Sequence, residues 1–254
     1  MRTYLVFACK ELTEQFRTYK TLIVGVVIVL FGILSPVTAK LTPELLKSLA
    51  SPELAAAFPK PTYLDAYAQF FKNVPQFGVV VLLIVFGATI SGELASGTLV
   101  NMLAKGMSRT SVLLAKYTSA LLLWTLSYAV AAASAYGYSV YLFGHANLPR
   151  LPLAFGGVWL FGALVLALAV FASTIGRGSY GPLLISFGLV AVMLIVGIFP
   201  TFAPGNPLTL VNDGVGLVAG KVEPTDLLPP ALVTLGLIGV LLIGGAAIFR
   251  RREL

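Results

Sequence analysis

The charged residues of this chain fall in clusters, which are separated by six long stretches without any Asp, Glu, Lys, Arg or His. These stretches are Thr21–Ala39, Asn73–Gly92, Tyr117–Gly144, Leu151–Gly176, Gly178–Asn212 and Leu227–Phe249. A helix needs about 20 apolar residues to cross the ~30 Å hydrocarbon core of a bilayer, and each stretch is near or above that length. A soluble domain needs charges over its whole surface. The spacing therefore predicts an all-α integral membrane protein with six transmembrane helices.

The composition limits what else the chain can contain. Of its 254 residues, 58% are hydrophobic and only 11% are charged. Six spans with short connections use almost the whole chain, so we predict one transmembrane domain over residues 1–254, without an ATPase or a nucleic-acid-binding module. One Cys and one His exclude an internal disulfide, a CxxC metal site and a His cluster. We expect no catalytic residue, no metal site and no nucleic-acid partner.

The basic residues predict the orientation of the spans. If both termini are cytoplasmic, 11 of the 17 Lys and Arg residues lie on the inner side of the membrane. This agrees with the excess of Lys and Arg that cytoplasmic loops carry. We therefore expect a multi-pass protein of the cell (cytoplasmic) membrane with both termini inside.

Three segments lie outside the predicted spans on one side or the other. Residues 1–20 are predicted to form an interfacial amphipathic helix, with Glu11 facing water, although a plain extension of the first span fits as well. Residues 40–74 are predicted to form an outer loop with short helices, because cap signals occur at Thr42-Pro43-Glu44, Ser51-Pro52-Glu53 and Thr62 with Asp65. Residues 200–229, rich in Pro and Gly, are predicted to form an outer re-entrant or loop segment.

The third span carries a stripe of small and polar residues, which includes Ser127, Ser134 and Tyr138. One interpretation is that these residues line a substrate pathway. The other is close helix packing, for which membrane bundles use small residues widely. No span interior contains the acidic or basic residues that ion-coupled transporters keep near the midplane, so energy for any transport must come from elsewhere.

The inner connection between the second and third spans, residues 92–116, has the pattern of a short amphipathic helix between two glycine breaks, Gly97 and Gly106. Leu99, Met102 and Leu103 are predicted to form an exposed apolar patch on it. Glu93, Lys105, Arg109 and Lys116 are predicted to stay in water, with Glu93 paired either to Arg109 or to the N-terminal helix. An apolar ridge with basic ends at the membrane surface indicates a docking site for a partner protein.

The same connection resembles that of the type-2 ABC transporter permeases. That family carries an acid, Gly-Thr, a Leu-rich stretch, Ser-Arg and a Lys that opens the next span. Here the corresponding residues are Glu93, Gly97-Thr98, Leu99 and Leu103, Ser108-Arg109 and Lys116. The Lys10-Glu11 pair, the Asn206-Pro207 turn and the basic C-terminus after Phe249 resemble the family as well.

The resemblance implies a permease subunit, not an enzyme, that works with two copies of a separate ABC ATPase and with a second permease chain in the bilayer. ATP and Mg²⁺ would bind the partner, and this chain would hold no cofactor. Glu93, Gly97, Thr98, Leu99, Met102, Leu103, Ser108 and Arg109 would form the ATPase-coupling site. The resemblance also implies export of an amphipathic or hydrophobic substrate such as a peptide, antibiotic, lipid or glycan. The alternatives are a membrane enzyme or assembly factor without transport activity, or an ion-coupled secondary transporter.

Overall fold

A computed structural model describes residues 2–49, 60–104, 106–178, 180–199 and 201–252. The helices in these ranges are α1 (Arg2–Arg17), α2 (Lys20–Leu49), α3 (Tyr63–Phe86), α4 (Ser91–Ala95), α5 (Thr98–Ala104), α6 (Arg109–Phe143), α7 (Leu151–Ile175), α8 (Tyr180–Ile198), α9 (Thr209–Asn212), α10 (Gly214–Val218) and α11 (Leu228–Arg251). The described residues contain no strand. The all-α prediction is therefore confirmed.

Six helical segments are long and apolar enough to cross a membrane, as predicted. They are Lys20–Thr42, Tyr63–Ala95, Arg109–Phe143, Leu151–Ile175, Tyr180–Ile198 and Pro224–Arg251. Because the number of spans is even, both termini lie on one side of the membrane. We call this the termini side and the other the loop side.

The loop predicted over residues 40–74 is shorter in the structure. Helix α2 continues through Pro43 to Leu49, so the cap signal at Thr42-Pro43-Glu44 does not start a new helix. The predicted cap at Thr62 is correct, because the Asp65 carboxylate accepts the Thr62 backbone N–H at 2.7 Å. The helix that begins there is not a separate loop helix but the start of the second span. The signal at Ser51-Pro52-Glu53 lies outside the described residues.

Helix α7 forms the centre of the bundle, and it is apolar on all sides as a surrounded helix must be. Helices α3, α6, α8 and α11 pack around it, and α2 packs on α3 and α6. Two glycines permit the closest approaches. A methyl group on Gly162 would lie 2.3 Å from the Trp124 indole, and one on Gly32 would lie 2.7 Å from the Ala131 carbonyl oxygen. Small residues thus set the helix spacing here.

The segment between α8 and α11 folds into short helical turns on the loop side. Helices α9 and α10 lie against α7 and α3. Asn206 fixes the start of this segment, because its buried amide donates to the Met193 carbonyl at 3.0 Å and accepts the Leu208 N–H at 2.9 Å. This segment packs on α7 and α3. Its place as an outer loop or re-entrant element stays a prediction.

Candidate functional site

A buried cluster of charged residues lies on the termini side and is centred on Lys116, near the start of α6. The Lys116 ammonium donates to Glu11 Oε2 at 2.9 Å and to Glu93 Oε1 at 2.6 Å. Its side chain is 1% exposed, and those of Glu11 and Glu93 are 5% and 16% exposed. One buried cation therefore joins α1, α4 and α6.

The second lysine, Lys10, closes this cluster from the solvent side. Its ammonium lies 3.1 Å from Glu11 Oε1, 2.5 Å from Glu14 Oε2 and 3.9 Å from Glu93 Oε1. Both ammonium groups also lie near the Phe7 ring, at 5.4 Å for Lys10 and 5.8 Å for Lys116. We call Lys10, Glu11, Glu14, Glu93 and Lys116 the charge clamp.

The two half-buried members of the clamp, Lys10 and Glu14, show what favours its charged form. Burial alone would lower the pKa of Lys10, but the hydrogen bond to Glu14 and the fields of Glu11 and Glu93 outweigh it, so this pKa is raised. Burial alone would raise the pKa of Glu14, but the hydrogen bond from Lys10 and the nearby lysines lower it. The stabilisation from the Lys10–Glu14 pair is thus complete from the ordinary pKa of Glu, 4.5, up to that of Lys, 10.5. It is lost only as the pH falls below the lowered Glu14 pKa or rises above the raised Lys10 pKa.

Helix α1 lies along α6 through polar contacts, which corrects the predicted orientation of its faces. Glu11 was predicted to face water but is buried against Lys116. The buried Gln15 amide donates to Ser119 Oγ at 3.0 Å, and the Tyr4 hydroxyl lies 2.8 Å from Thr118 Oγ1. The opposite face of α1 is apolar and exposed, as an interfacial helix requires. It presents Leu5, Val6 and Phe16.

The connection after the second span is two helices, α4 and α5, with a break at Gly97, whose φ is +72°. A second break occurs at Gly106, with φ +89°. Both values lie in the left-handed region that glycine adopts without a steric penalty, so both predicted glycine breaks are confirmed. Ser108 then caps α6 by accepting the Ser111 N–H at 3.1 Å.

The prediction of an exposed apolar patch on this connection is wrong for Leu99. Leu99 is fully buried in the core of the chain, and Met102 and Leu103 are half-buried. Leu99 instead anchors α5 to the spans. Among the side chains that the structure describes on α4, α5 and their flanks, the exposed ones are small or polar: Ala95, Ser96, Thr98, Ala104, Gly106 and Ser108.

A serine of the fourth span supports the break between α3 and α4. Ser173 Oγ accepts the backbone N–H groups of Ile90 at 2.8 Å and Ser91 at 3.0 Å. Ser173 is fully buried, so these two donors would otherwise lie without a partner at the start of α4. The connection is thereby tied to α7 as well as to α6.

Arg109 does not pair with Glu93. Its Nη1 donates to the carbonyls of Phe249, Arg250 and Arg252 at 2.7, 3.0 and 2.5 Å. Arg252 in turn donates to the Thr174 and Gly176 carbonyls at 2.8 and 3.0 Å. The two guanidinium groups neutralise the C-terminal ends of α11 and α7, where carbonyls lack helical partners. For Glu93, the hydrogen-bond partner is Lys116 of α6 and not a residue of the N-terminal helix, because Lys10 Nζ lies 3.9 Å from Glu93 Oε1, beyond hydrogen-bond distance. The predicted contact with the N-terminal helix is present only as this longer ion pair.

The structure does not gather the three candidate pathway residues into one cavity. Ser127 is buried beside α2, where a methyl group on Gly25 would lie 3.8 Å from Ser127 Oγ. Ser134 and Tyr138 border an open depression together with Gly137 and Tyr141. Packing therefore explains Ser127, and a role in a pathway stays a prediction for Ser134 and Tyr138.

Sequence reasoning missed Lys116, Glu11, Ser173 and Arg252 as parts of this site. Lys116 was expected to stay in water but is buried. Its position directly before the charge-free stretch Tyr117–Gly144 was the available signal. A charge at that boundary needs either water or a partner. Carboxylate oxygens of Glu11, Glu14 and Glu93 lie within 4.8 Å of one another, as a cation site would require. Lys10 and Lys116 already supply their counter-charge.

A comparison with known protein families agrees with this arrangement of helices. A family model described as "ABC-2 family transporter protein" matches residues 5–254. The match covers α1, the six spans and the α4–α5 connection. The chain therefore belongs to this family, and it is a multi-pass permease component of an ABC transporter. No curated protein matches the chain.

The burial of Lys116 predicts a large and specific loss of stability when it is removed. Lys116→Met leaves the Glu11 and Glu93 carboxylates buried without their cation, which costs about 3 kcal/mol or more. The triple variant Glu11→Gln, Glu93→Gln, Lys116→Met removes those charges too and should recover most of this loss. Unfolding of the purified protein in mixed micelles measures both. Arg17→Met, at an exposed position on α1, is the control and should change little. A Lys116→Met protein as stable as the wild type would contradict the assignment.

Proposed function

We propose that this member of the ABC-2 transporter family is the permease subunit of an ATP-driven exporter whose ATPase is a separate polypeptide. In this proposal residues 91–108 form the ATPase-docking surface, with α4 and α5 as the coupling helices. The observation that carries the proposal is the way this surface is held. This surface is small and open on one side, and on the other side three contacts tie it to the bundle.

The three ties transmit displacement from the docking surface to the spans. Glu93 binds Lys116 of the third span, and Ser173 of the fourth span holds the start of α4. Leu99 inserts into the core. Directly after this surface, Arg109 joins the start of α6 to the end of the sixth span. Because each tie is buried or multidentate, a push on α4 or α5 moves the spans rather than bending a loop.

The exposed surface of α4 and α5 suits a close protein contact. Ala95, Ser96, Thr98 and Ala104 carry short side chains, which allow a partner to approach the backbone. The termini side also holds most of the Lys and Arg residues, so we propose that it is the cytoplasmic side. ATP and Mg²⁺ then bind the ATPase subunits, and this chain contributes no nucleotide ligand.

The spans leave room for a second permease chain. Helices α8 and α11 are the least buried of the six spans, because only 17% and 22% of the residues in their most apolar stretches are buried. They therefore present broad apolar faces. We propose that two permease chains and two ATPase subunits form the working transporter. A pathway lined by aliphatic, Ser and Tyr side chains, such as Ser134 and Tyr138, fits an amphipathic or hydrophobic cargo that crosses the cell membrane.

The docking assignment predicts the effect of bulky charge on the open face. Ala95→Glu and Ala104→Glu each place a long carboxylate where the partner must approach, while their side chains face away from the core. Each should reduce the ATPase subunit that co-purifies with the co-expressed permease by at least about tenfold, the effect of about 1.4 kcal/mol. Thr13→Glu, exposed on α1 on the same side, should leave co-purification intact. Full ATPase binding by both α4 and α5 variants would overturn the assignment.

The proposed orientation predicts opposite labelling of the two sides. In a Cys9→Ser background, a single Cys in place of exposed Ala104 should react with a membrane-impermeant maleimide only in inverted vesicles. A single Cys in place of exposed Lys221 should react only in intact cells. Labelling of Ala104→Cys from outside would reject both the orientation and the coupling role.

A further inference from the structure

A cleft of about 400 Å³ opens on the loop side, between the second and fifth spans. Its walls come from α3 and α8, its floor from α7, and its cover from the turns around α9. The side chains inside are apolar and include Phe71, Pro75, Val79, Phe161, Val190 and Leu194. Such a volume is within the range of small-molecule sites, which are mostly apolar with a few placed polar groups.

The polar groups of the cleft are confined to its rim. They are Lys72, Gln76 and Asn212, all of them exposed. Lys72 is the last charged residue before the charge-free stretch of the second span, so it lies where that span leaves the hydrocarbon. Among the residues that the structure describes, no carboxylate forms an ion pair with Lys72.

The cleft extends from this cation into the apolar part of the bilayer. Lys72 and Val79 both line it, and seven residues of helix correspond to about 10 Å. Lys72 therefore offers a positive charge at one end, Gln76 and Asn212 offer amide groups along the exposed edge, and the rest of the cleft offers only hydrocarbon and aromatic surface. A ligand that satisfies both must have an anionic head and an apolar tail.

We propose that this cleft binds an anionic amphiphile from the membrane, with its head on Lys72 and its tail along Pro75, Val79 and Val190. Gln76 and Asn212 donate further hydrogen bonds to the head. The binding itself needs only this chain. Its interpretation as a cargo site of the exporter rests on the proposed function, since an anionic amphiphile is then the class of substrate that the permease receives.

Binding can be measured on the purified chain in nanodiscs of zwitterionic phosphatidylcholine. The probe is stearate with a nitroxide on its chain, which quenches tryptophan fluorescence at short range. Trp124 lies behind the cleft floor. There it borders a small neighbouring cavity together with Pro75, Val79 and Phe161, which also line the cleft. We expect saturable quenching by the stearate probe. The methyl ester of the probe, which has no charge, should bind about fivefold more weakly, the size expected for one exposed ion pair.

Variants separate the head and tail contacts. Lys72→Gln should weaken stearate binding about fivefold and should abolish the preference over the ester, and Lys72→Arg should restore both. Lys221→Gln removes an equal charge from an exposed position on the same side and should have no effect. Ala68→Phe narrows the cleft without changing charge or adding a tryptophan, and it should reduce saturable binding of acid and ester alike.

Four results would each overturn the proposal. They are equal binding of acid and ester by the wild type, unchanged binding by Lys72→Gln, an equal loss in Lys221→Gln, and full binding by Ala68→Phe. Because these measurements use no ATPase, a failure here leaves the docking proposal standing. Conversely, a failed docking test leaves a cleft that binds an amphiphile without transporting it.

Discussion

The rest of the structure depends on one buried ammonium group. Lys116 lies between Glu11 and Glu93 at hydrogen-bond distance, in a position with almost no access to water. Removing ions from water costs several kcal/mol per ion, so such a group persists only where its partners are fixed in place. Those partners belong to α1 and α4, which are otherwise a surface helix and a single helical turn. Lys116 thereby fixes both of these elements to the third span.

This arrangement explains how helices as short as α4 and α5 could transmit a displacement to the spans. Helix α4 has only 5 residues and α5 only 7, too few to be stable alone. They are held by Glu93, by Ser173 on the backbone N–H groups of Ile90 and Ser91, and by Leu99 in the core. The second span also links the two proposed sites, because the cleft residue Lys72 lies near one of its ends and Glu93 near the other.

Much of the fold could be predicted from the sequence, because the hydrocarbon core imposes its length on every span. The six charge-free stretches located the spans, and Gly97 and Gly106 located the breaks around α5. The contacts between elements could not be predicted in this way. Whether Glu11 faces water or Lys116 depends on how α1 crosses α6, more than 100 residues along the chain. Leu99 was predicted to be exposed because helical periodicity identifies an apolar face but does not show which part of the chain covers it.

The central claim is that Lys116 makes α1 and the α4–α5 connection one rigid unit. The most direct measurement is the distance between spin labels on Thr13→Cys and Ala104→Cys, in a Cys9→Ser background in lipid nanodiscs. The account predicts one narrow distance distribution in the wild type, which becomes broad in the Lys116→Met variant. A distribution that is equally narrow without Lys116 would contradict it.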